Sequence, residues 1–279
     1  MNSPLVTIIC LCYNHARFVE EAIQSVWHQT YQNIELIIVD DASTDNSVEV
    51  IQKLIQDKPQ ISFIANTENL GSCRSFNKAL KLAKGNYFID LAADDVLLPD
   101  RVQKGVALLR EKGSEYGVQF SDAEIIDEEG KHLRYHSTIF PHSSIPQGDV
   151  YPFVINRYFI CSPTMMFTRA VMELLNGYDE ALAFEDFDLW VRASRKYKFC
   201  YLPEVLIKRR MVSTSMSKAQ FKGKNAQRWS TYLVCKKIKN LNQTKEEEKA
   251  LRQRLRYEIL LSLKMLDFGL ALHFFKLMM

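Results

Sequence analysis

The sequence predicts an α/β protein: a mostly parallel sheet flanked by helices, followed by a helical C-terminal extension. Three observations carry that expectation. Four apolar runs of strand length, at residues 6–11, 34–40, 61–65 and 87–91, show no polar alternation, as expected for strands covered on both faces. Single segments of helical spacing separate them, which is the pattern of a parallel sheet. The charge then changes sign along the chain. Residues 1–206 contain 19 Lys and Arg against 28 Asp and Glu, a net −9, whereas residues 207–279 contain 17 against 5, a net +12.

Each element has a local reason. In residues 17–30 the pairs Phe18/Val19, Ala22/Ile23 and Val26/Trp27 recur every four residues and line one helical face. The next helix starts among the capping side chains of residues 43–46 and buries Val48, Ile51 and Ile55. Residues 69–72 open a third helix with Phe76, Ala79, Leu80 and Ala83 on one side, ended at Gly85. Pro99 suits a first helical turn and starts a fourth through Val102, Val106 and Leu109. After about residue 115 the pattern loosens. Short strands are expected at 117–121, 124–126, 164–168 and 199–202, with an irregular stretch at 137–148, a helix over 187–196, and a mobile loop at 213–223. Two or three basic helices follow from residue 225. The expected division is a main unit over 1–215, with halves 1–115 and 116–215, and a basic helical extension over 216–279.

With 279 residues, 47% hydrophobic and 25% charged, the chain has material for a large core and lies far from a disordered composition. Its six cysteines form no C-x-x-C pair and read as reduced core residues. The apolar run at residues 5–12 is too short for a leader or a membrane span, so a cytoplasmic protein is expected. The apolar tail at 259–279 is interrupted by Lys264, Asp267, His273 and Lys276, which predicts a helix lying at an interface or against a partner. The basic C-terminal quarter suits an anionic partner, first of all a membrane surface, on its inner face. No aromatic stacking pattern accompanies the basic residues at 236–256, so nucleic acid is not expected. No G-x-G-x-x-G follows the first strand and no G-K-[ST] occurs, which argues against the dinucleotide-dehydrogenase and P-loop classes.

Ligands of open parallel sheets sit beyond the carboxyl ends of the strands, and there this sequence is acidic: Asp40-Asp41 after the second strand and Asp94-Asp95 after the fourth. Such pairs suit a hard divalent cation, Mg²⁺ or Mn²⁺, that leaves positions for phosphate oxygens. Equally, these aspartates can cap the helices that follow.

The stretch VTIICLCYN, then SVWHQTYQNIELIIVDDASTDNS, then NLGSCRSFNKALKLAKGNYFIDLAADD resembles family 2 inverting glycosyltransferases of the GT-A type, whose sheet is Rossmann-like. Four motifs stand in the family's order: Tyr13-Asn14, Asp40-Asp41, Asp94-Asp95 and Glu185-Asp186 in FEDFDLW. The resemblance covers about residues 5–215. It implies that Tyr13 packs on a nucleotide base, that Asp41 accepts from the imide N–H of uracil or thymine, and that Asp40 helps near the ribose or orients Asp41. It implies Asp95 as the metal ligand and Asp94 as a ribose or supporting group, with Ala92 standing where many members have the first aspartate. Asp186 becomes the catalytic base and Glu185 a group that orients it or touches the acceptor. Arg210 approaches the diphosphate from a closing loop that continues through Ser213–Ser217, with Val212 where many relatives have a histidine. The implied reaction moves a sugar from a UDP- or dTDP-sugar to a hydroxyl of a saccharide or lipid-linked acceptor in cell-surface glycan assembly. Two other readings stay open: a sugar nucleotidyltransferase, and a non-catalytic nucleotide-sugar-binding scaffold on the same fold.

Overall fold

The computed structural model of the chain describes residues 3–212 and 226–279. Strands β1 (Val6–Cys12), β2 (Ile34–Asp40), β3 (Ser62–Ala65) and β4 (Tyr87–Ala92) alternate with helices α1 (Val19–Trp27), α2 (Ser47–Ile55) and α3 (Ser72–Leu80). Then follow β5 (Val96–Leu97), α4 (Arg101–Lys112), β6 (Tyr116–Ile126), β7 (His132–Tyr135), α5 (Tyr151–Asn156), β8 (Met166–Thr168), α6 (Arg169–Leu175), α7 (Glu185–Ser194) and β9 (Lys198–Arg210). Helices α8 (Ala226–Leu241), α9 (Lys245–Lys264) and α10 (Phe268–Met278) complete the described residues.

One sheet runs in the order β3-β2-β1-β4-β8-β6-β9-β5, with β7 on β6. Pairing is parallel from β3 to β4 and between β6 and β9, and antiparallel where β8 joins β4 and β6. Three of the four unalternating runs are covered on both sides: Ile8, Ile38 and Ile89 pack under α1, while Ile9, Ile37 and Phe88 face a second core with Phe76 of α3; β3, at the sheet edge, has no buried residue.

Three expectations change. The strands expected at 117–121 and 124–126 are one strand, β6. The strand expected at 199–202 continues to Arg210, because Pro203 and Glu204 are accommodated at an irregularity between the Leu202 and Val205 pairings, a bulge that keeps proline out of the ladder. The helix expected from residue 187 starts at Glu185, so its acidic cluster forms the first turn.

The C-terminal helices pack into the core of the residues before them. Val234, Ile238, Leu251, Leu255 and Phe274 share one core with Val154 and Ile155 of α5 and Phe187 and Trp190 of α7. Arg254, buried, donates to the Ile155 carbonyl at 3.0 Å and to Glu258 at 3.2 Å, and lies 3.9 Å from the Tyr158 ring. The expected boundary at 215/216, the loop at 213–223 and the Ser213–Ser217 cluster lie outside the described residues. Among the described residues, no helix is long and apolar enough to cross a membrane.

Candidate active site

Strand β1 has β2 on one side and β4 on the other, so the chain crosses over in opposite directions from it. The register pairs Cys12 with Asp40 and Leu11 with Ala92, which levels the three carboxyl ends. The loops that leave them open a crevice at the position where doubly wound sheets bind ligands. A cavity of about 630 Å³ lies there, lined by Tyr13, Asn14, His15, Asp41, Asp90, Asp94, Tyr178, Glu185, Asp186 and Val212, among others. A second cavity of about 660 Å³, under α3, α6, α7 and α8, has charges that already pair: Lys237 bonds Asp179 at 2.6 Å and Asp188 at 2.5 Å. Volume does not separate the two; unpaired acidic groups do.

Asp41 follows β2, and its main-chain N–H donates to the Cys12 carbonyl at 2.8 Å. Its Oδ1 accepts from Asn66, the Leu70 N–H and Ser75, at 2.8–2.9 Å, and its Oδ2 accepts from the Gly71 N–H at 2.8 Å. Burial alone would push this carboxyl up, but those four donors outweigh it and hold it below the usual carboxylate range. A carboxylate has about four acceptor positions, two per oxygen, so Oδ2 keeps one to offer a ligand. Tyr13, 44% exposed, presents its ring to the same cavity.

Asp40 behaves differently. It is fully buried and accepts from the Ser43 N–H at 2.9 Å and the Ser43 hydroxyl at 2.6 Å. It therefore shapes the loop that carries Asp41 and does not line the cavity.

The second acidic pair is also split. Asp94 lines the cavity, with one oxygen 3.9 Å from Nδ1 of His15. Asp95, expected as the metal ligand, is 3% exposed, does not line the cavity, and accepts from the Arg210 N–H at 2.8 Å. Burial first, and Asp94 second, push its carboxyl well above the usual range. The chain turns here, the Asp95 N–H donating to the Ala92 carbonyl at 3.0 Å, and the turn leaves Asp94 on the open side. Among the described residues no three His, Cys, Asp or Glu side chains come together as a protein-only cation cage. A hard cation that keeps water and phosphate oxygens as its other ligands needs only one or two carboxylates, and Asp94 fits that requirement.

Arg210, expected at the diphosphate, points the other way. Its guanidinium bonds Glu21 at 2.5 Å and the carbonyls of Asp94, Asp127 and Glu128 at 3.0–3.3 Å, and lies 4.9 Å from the Phe18 ring. It locks β9 to α1 and does not line the cavity. Arg209, one residue earlier and on the opposite face of the strand, acts electrostatically on both Asp95 and Asp186.

At the first turn of α7, Glu185 accepts from the Ser72 hydroxyl at 3.0 Å, tying α7 to the start of α3. Asp186 is pushed up to about 7 by burial and then by Glu185, with Ser162 and Arg209 acting against them. Beneath lies Asp90 on β4, pushed up to about 8 by burial and by Asp186 and Glu185, while the Tyr178 hydroxyl donates to it at 2.9 Å. Tyr178 is itself clamped: Asn77 Oδ1 accepts from its N–H and Asn77 Nδ2 donates to its carbonyl, both at 2.9 Å. That clamp needs Gly177, which has φ +76° and no room for a Cβ, since one would sit 2.1 Å from Asn77 Oδ1.

Asp90, Tyr178, His15 and Arg209 were not among the sequence-predicted site residues. Asp90 had a signal, a lone acid inside an apolar strand and in phase with Ala92 two residues on.

A family model described as Glycosyl transferase family 2 matches residues 7–175. The chain belongs to glycosyl transferase family 2. An uncharacterized glycosyltransferase of Methanocaldococcus jannaschii is 30% identical over 214 residues, covering 76% of this chain and 72% of that protein. The crystal structure of S. aureus TarS 1–349 in complex with UDP-GlcNAc has a TM-score of 0.72 at 17% identity, covering 90% of this chain and 71% of that one. A complex of the mannosyltransferase PcManGT from Pyrobaculum calidifontis with GDP-Man and Mn²⁺ has a TM-score of 0.70 at 16% identity, covering 99% and 74%. These two likenesses are of fold, the GT-A arrangement of a curled, mostly parallel sheet flanked by helices. Of two longer Rickettsia relatives the chain spans 35%. Membership of glycosyl transferase family 2 makes the protein a transferase and sets aside the nucleotidyltransferase and scaffold readings.

Proposed function

We propose that the protein transfers a sugar, with inversion, from a UDP- or dTDP-sugar to a hydroxyl of a saccharide or lipid-linked acceptor in cell-surface glycan assembly. The observation that carries this reading is that Tyr13, Asp41, Asp94, Glu185 and Asp186, spread over more than 170 positions, line one cavity. The uncharged face of Tyr13 packs on the pyrimidine, and the open acceptor position of Asp41 Oδ2 takes the imide N–H. Asp94 faces the diphosphate. Asp94 would hold Mg²⁺ or Mn²⁺, which when bound would supply positive charge to offset that of the departing diphosphate.

Asp186 takes the proton of the acceptor hydroxyl as its oxygen attacks the anomeric carbon on the face opposite the leaving group. A single displacement of this kind needs one base and inverts the centre. A carboxylate near 7 is far better matched to that proton than one near 4, and the burial and the Glu185 neighbour that raise Asp186 supply the match. Glu185 orients Asp186 or touches the acceptor. Arg209 replaces Arg210 as the cation of this region.

The net +12 of residues 207–279 supports peripheral contact with an anionic membrane on its cytoplasmic face, beside a lipid-linked acceptor. Each basic residue near such a surface adds about 1 kcal/mol. A thermal-shift panel of UDP-, dTDP-, GDP- and CDP-sugars, with and without Mn²⁺, tests the donor assignment, because ligands of the folded state raise its melting temperature. A rise with pyrimidine donors that vanishes in Asp41→Asn is expected. A panel without any rise, or an undiminished rise in that variant, overturns the assignment.

A further inference from the structure

Helix α10 is apolar on two sides but, among the described residues, packed on only one. Leu270, Ala271 and Phe274 are buried against the body of the protein. The opposite stripe, Phe268, Leu272, Phe275 and Met279, recurs at steps of four, three and four residues and is 45–78% exposed. At the corner where α9 meets α10, Leu260 and Leu266 are still more open than most of that stripe, at 67% and 74%. Single exposed apolar residues need no explanation, but a stripe of four along one helix, with two more at the adjoining corner, points to an interaction surface.

The charges around this face identify its partner. From residue 250 onward the only acidic side chains are Glu258 and Asp267, and both are buried. Glu258 pairs with Arg254 at 3.2 Å; Asp267 caps α10 through the Leu270 N–H at 3.1 Å and faces Arg228 at 3.9 Å. The charged side chains left exposed there are Arg252, Arg256, Lys264 and Lys276, all basic. The exposed acid of α9, Glu246, lies in its first turn, roughly 27 Å along the axis from Lys264 at ~1.5 Å per residue. Beside the stripe, Trp229 and Tyr232 meet His273 with ring centroids 5.1 and 5.2 Å apart, and Trp229 is 44% exposed. An apolar stripe rimmed by cations, with a half-exposed Trp and a Tyr at its edge, matches the layering of an anionic bilayer surface: acyl chains, then the interfacial zone where aromatic rings settle, then headgroup phosphates. A second copy of the same face would bring like charges together.

We propose that the exposed face of α10, with the α9–α10 corner, inserts into the surface of a bilayer containing anionic lipid. This deepens the membrane reading above, which rests on charge alone, by naming an apolar surface that enters the membrane. It makes a different demand: binding must depend on Leu272 and Phe275, whose substitution leaves every basic residue in place.

The test is co-sedimentation of the full chain with vesicles of phosphatidylcholine, with and without phosphatidylglycerol, for the wild type and for Leu272→Asp/Phe275→Asp. Both side chains are exposed, so thermal melting should stay unchanged; Leu272→Gln/Phe275→Gln serves if the aspartates perturb the helix. Binding to phosphatidylglycerol vesicles that falls at least tenfold in the variants, with a residue of wild-type binding surviving high salt, supports insertion. Variant binding equal to wild type and fully released by salt overturns insertion and leaves the charge-only contact. Absence of wild-type binding overturns the proposal, whether the protein sediments as a monomer or as a dimer that the variant dissociates. Nucleoside diphosphate release from the donor depends on the cavity and should be equal in wild type and variant; its absence in both would count against the catalytic assignment and leave the vesicle result standing.

Discussion

The acids of the cavity, mostly half-buried, and the buried acids of the helices behind it are treated in opposite ways. Glu247 on α9 bonds Arg195 at 3.0 Å and closes the capping box with Thr244. Asp188, two residues after Asp186, is held by Arg192 and Lys237, each at 2.5 Å. Asp90 and Asp186 have no ion pair within 4 Å among the described residues, and are pushed up to about 8 and about 7. The helical acids are there to join elements; the cavity acids are kept uncompensated where a proton has to be exchanged. Leaving a buried carboxyl without a cation costs stability, and such groups concentrate at functional sites.

The largest effect expected from this contrast is catalytic. Asp186→Asn keeps the size of the side chain and removes its basicity, so turnover should fall by about 10²–10⁴ while the donor still raises the melting temperature. Nucleoside diphosphate release at saturating donor and acceptor checks it; a variant within threefold of wild type would remove Asp186 from the reaction. On the structural side of the contrast, Arg254→Met leaves Glu258 buried without its partner and frees the Ile155 carbonyl, which should cost about 3–5 kcal/mol. Urea unfolding measures it. Because α9 shares a core with Phe187, the residue after Asp186, this distant change should also lower turnover.

Asp41 belongs to both classes, since it gathers four donors and still faces the cavity. Asp41→Asn turns one acceptor oxygen into a donor against groups that already donate. About 1–3 kcal/mol of stability should be lost, together with nucleotide affinity. A variant that loses stability and binds the donor normally would make Asp41 purely structural.

The pH dependence separates the two classes by sign. Raised carboxyls bind protons more tightly in the folded than in the unfolded state, so they weaken the fold as pH climbs from about 4, and the loss levels off above 7 to 8. Lowered carboxyls such as Asp41, Asp179 and Glu247 act oppositely, with stability lost as pH falls through their folded values. Each pH unit is worth up to about 1.4 kcal/mol per group. Asp90→Asn, which can still accept from Tyr178, should therefore be more stable than wild type at pH 8 by at least about 1.4 kcal/mol and no different at pH 4.

How far the sequence revealed these roles follows from what each role depends on. Strands and helices of the first 115 residues were legible because apolar spacing alone determines them, and the rim position of Asp41 and Asp186 followed from motif order. Which member of a neighbouring pair faces the cavity was not legible. Asp94 and Asp95, or Arg209 and Arg210, have the same chemistry and differ only in the side of the chain they occupy, which is set by a turn at Ala93 and by strand pairing 115 residues away. β9 was truncated because Pro203 breaks the strand pattern locally, and only pairing with β6 on both sides of the bulge carries the strand onward. Asp90 reads as a blemish in an apolar strand until Tyr178 and α7 are brought over it by long-range packing.

The smallest expected effect is the sharpest test of how Asp186 is tuned. Burial and Glu185 both raise it, and only the second can be removed by a change of one atom's chemistry. Glu185→Gln keeps an acceptor for Ser72 and removes a negative charge beside the base, so the acidic limb of the pH–rate profile should move down by about one unit. Relative to its own plateau the variant is then faster than wild type at pH 6, while the plateau itself drops slightly because a weaker base takes the proton less readily. An unmoved limb would mean that burial alone sets Asp186, and the pairing of two acids at the start of α7 would need another reason. A lost plateau with normal donor binding would instead assign Glu185 to the acceptor, the other role its position allows.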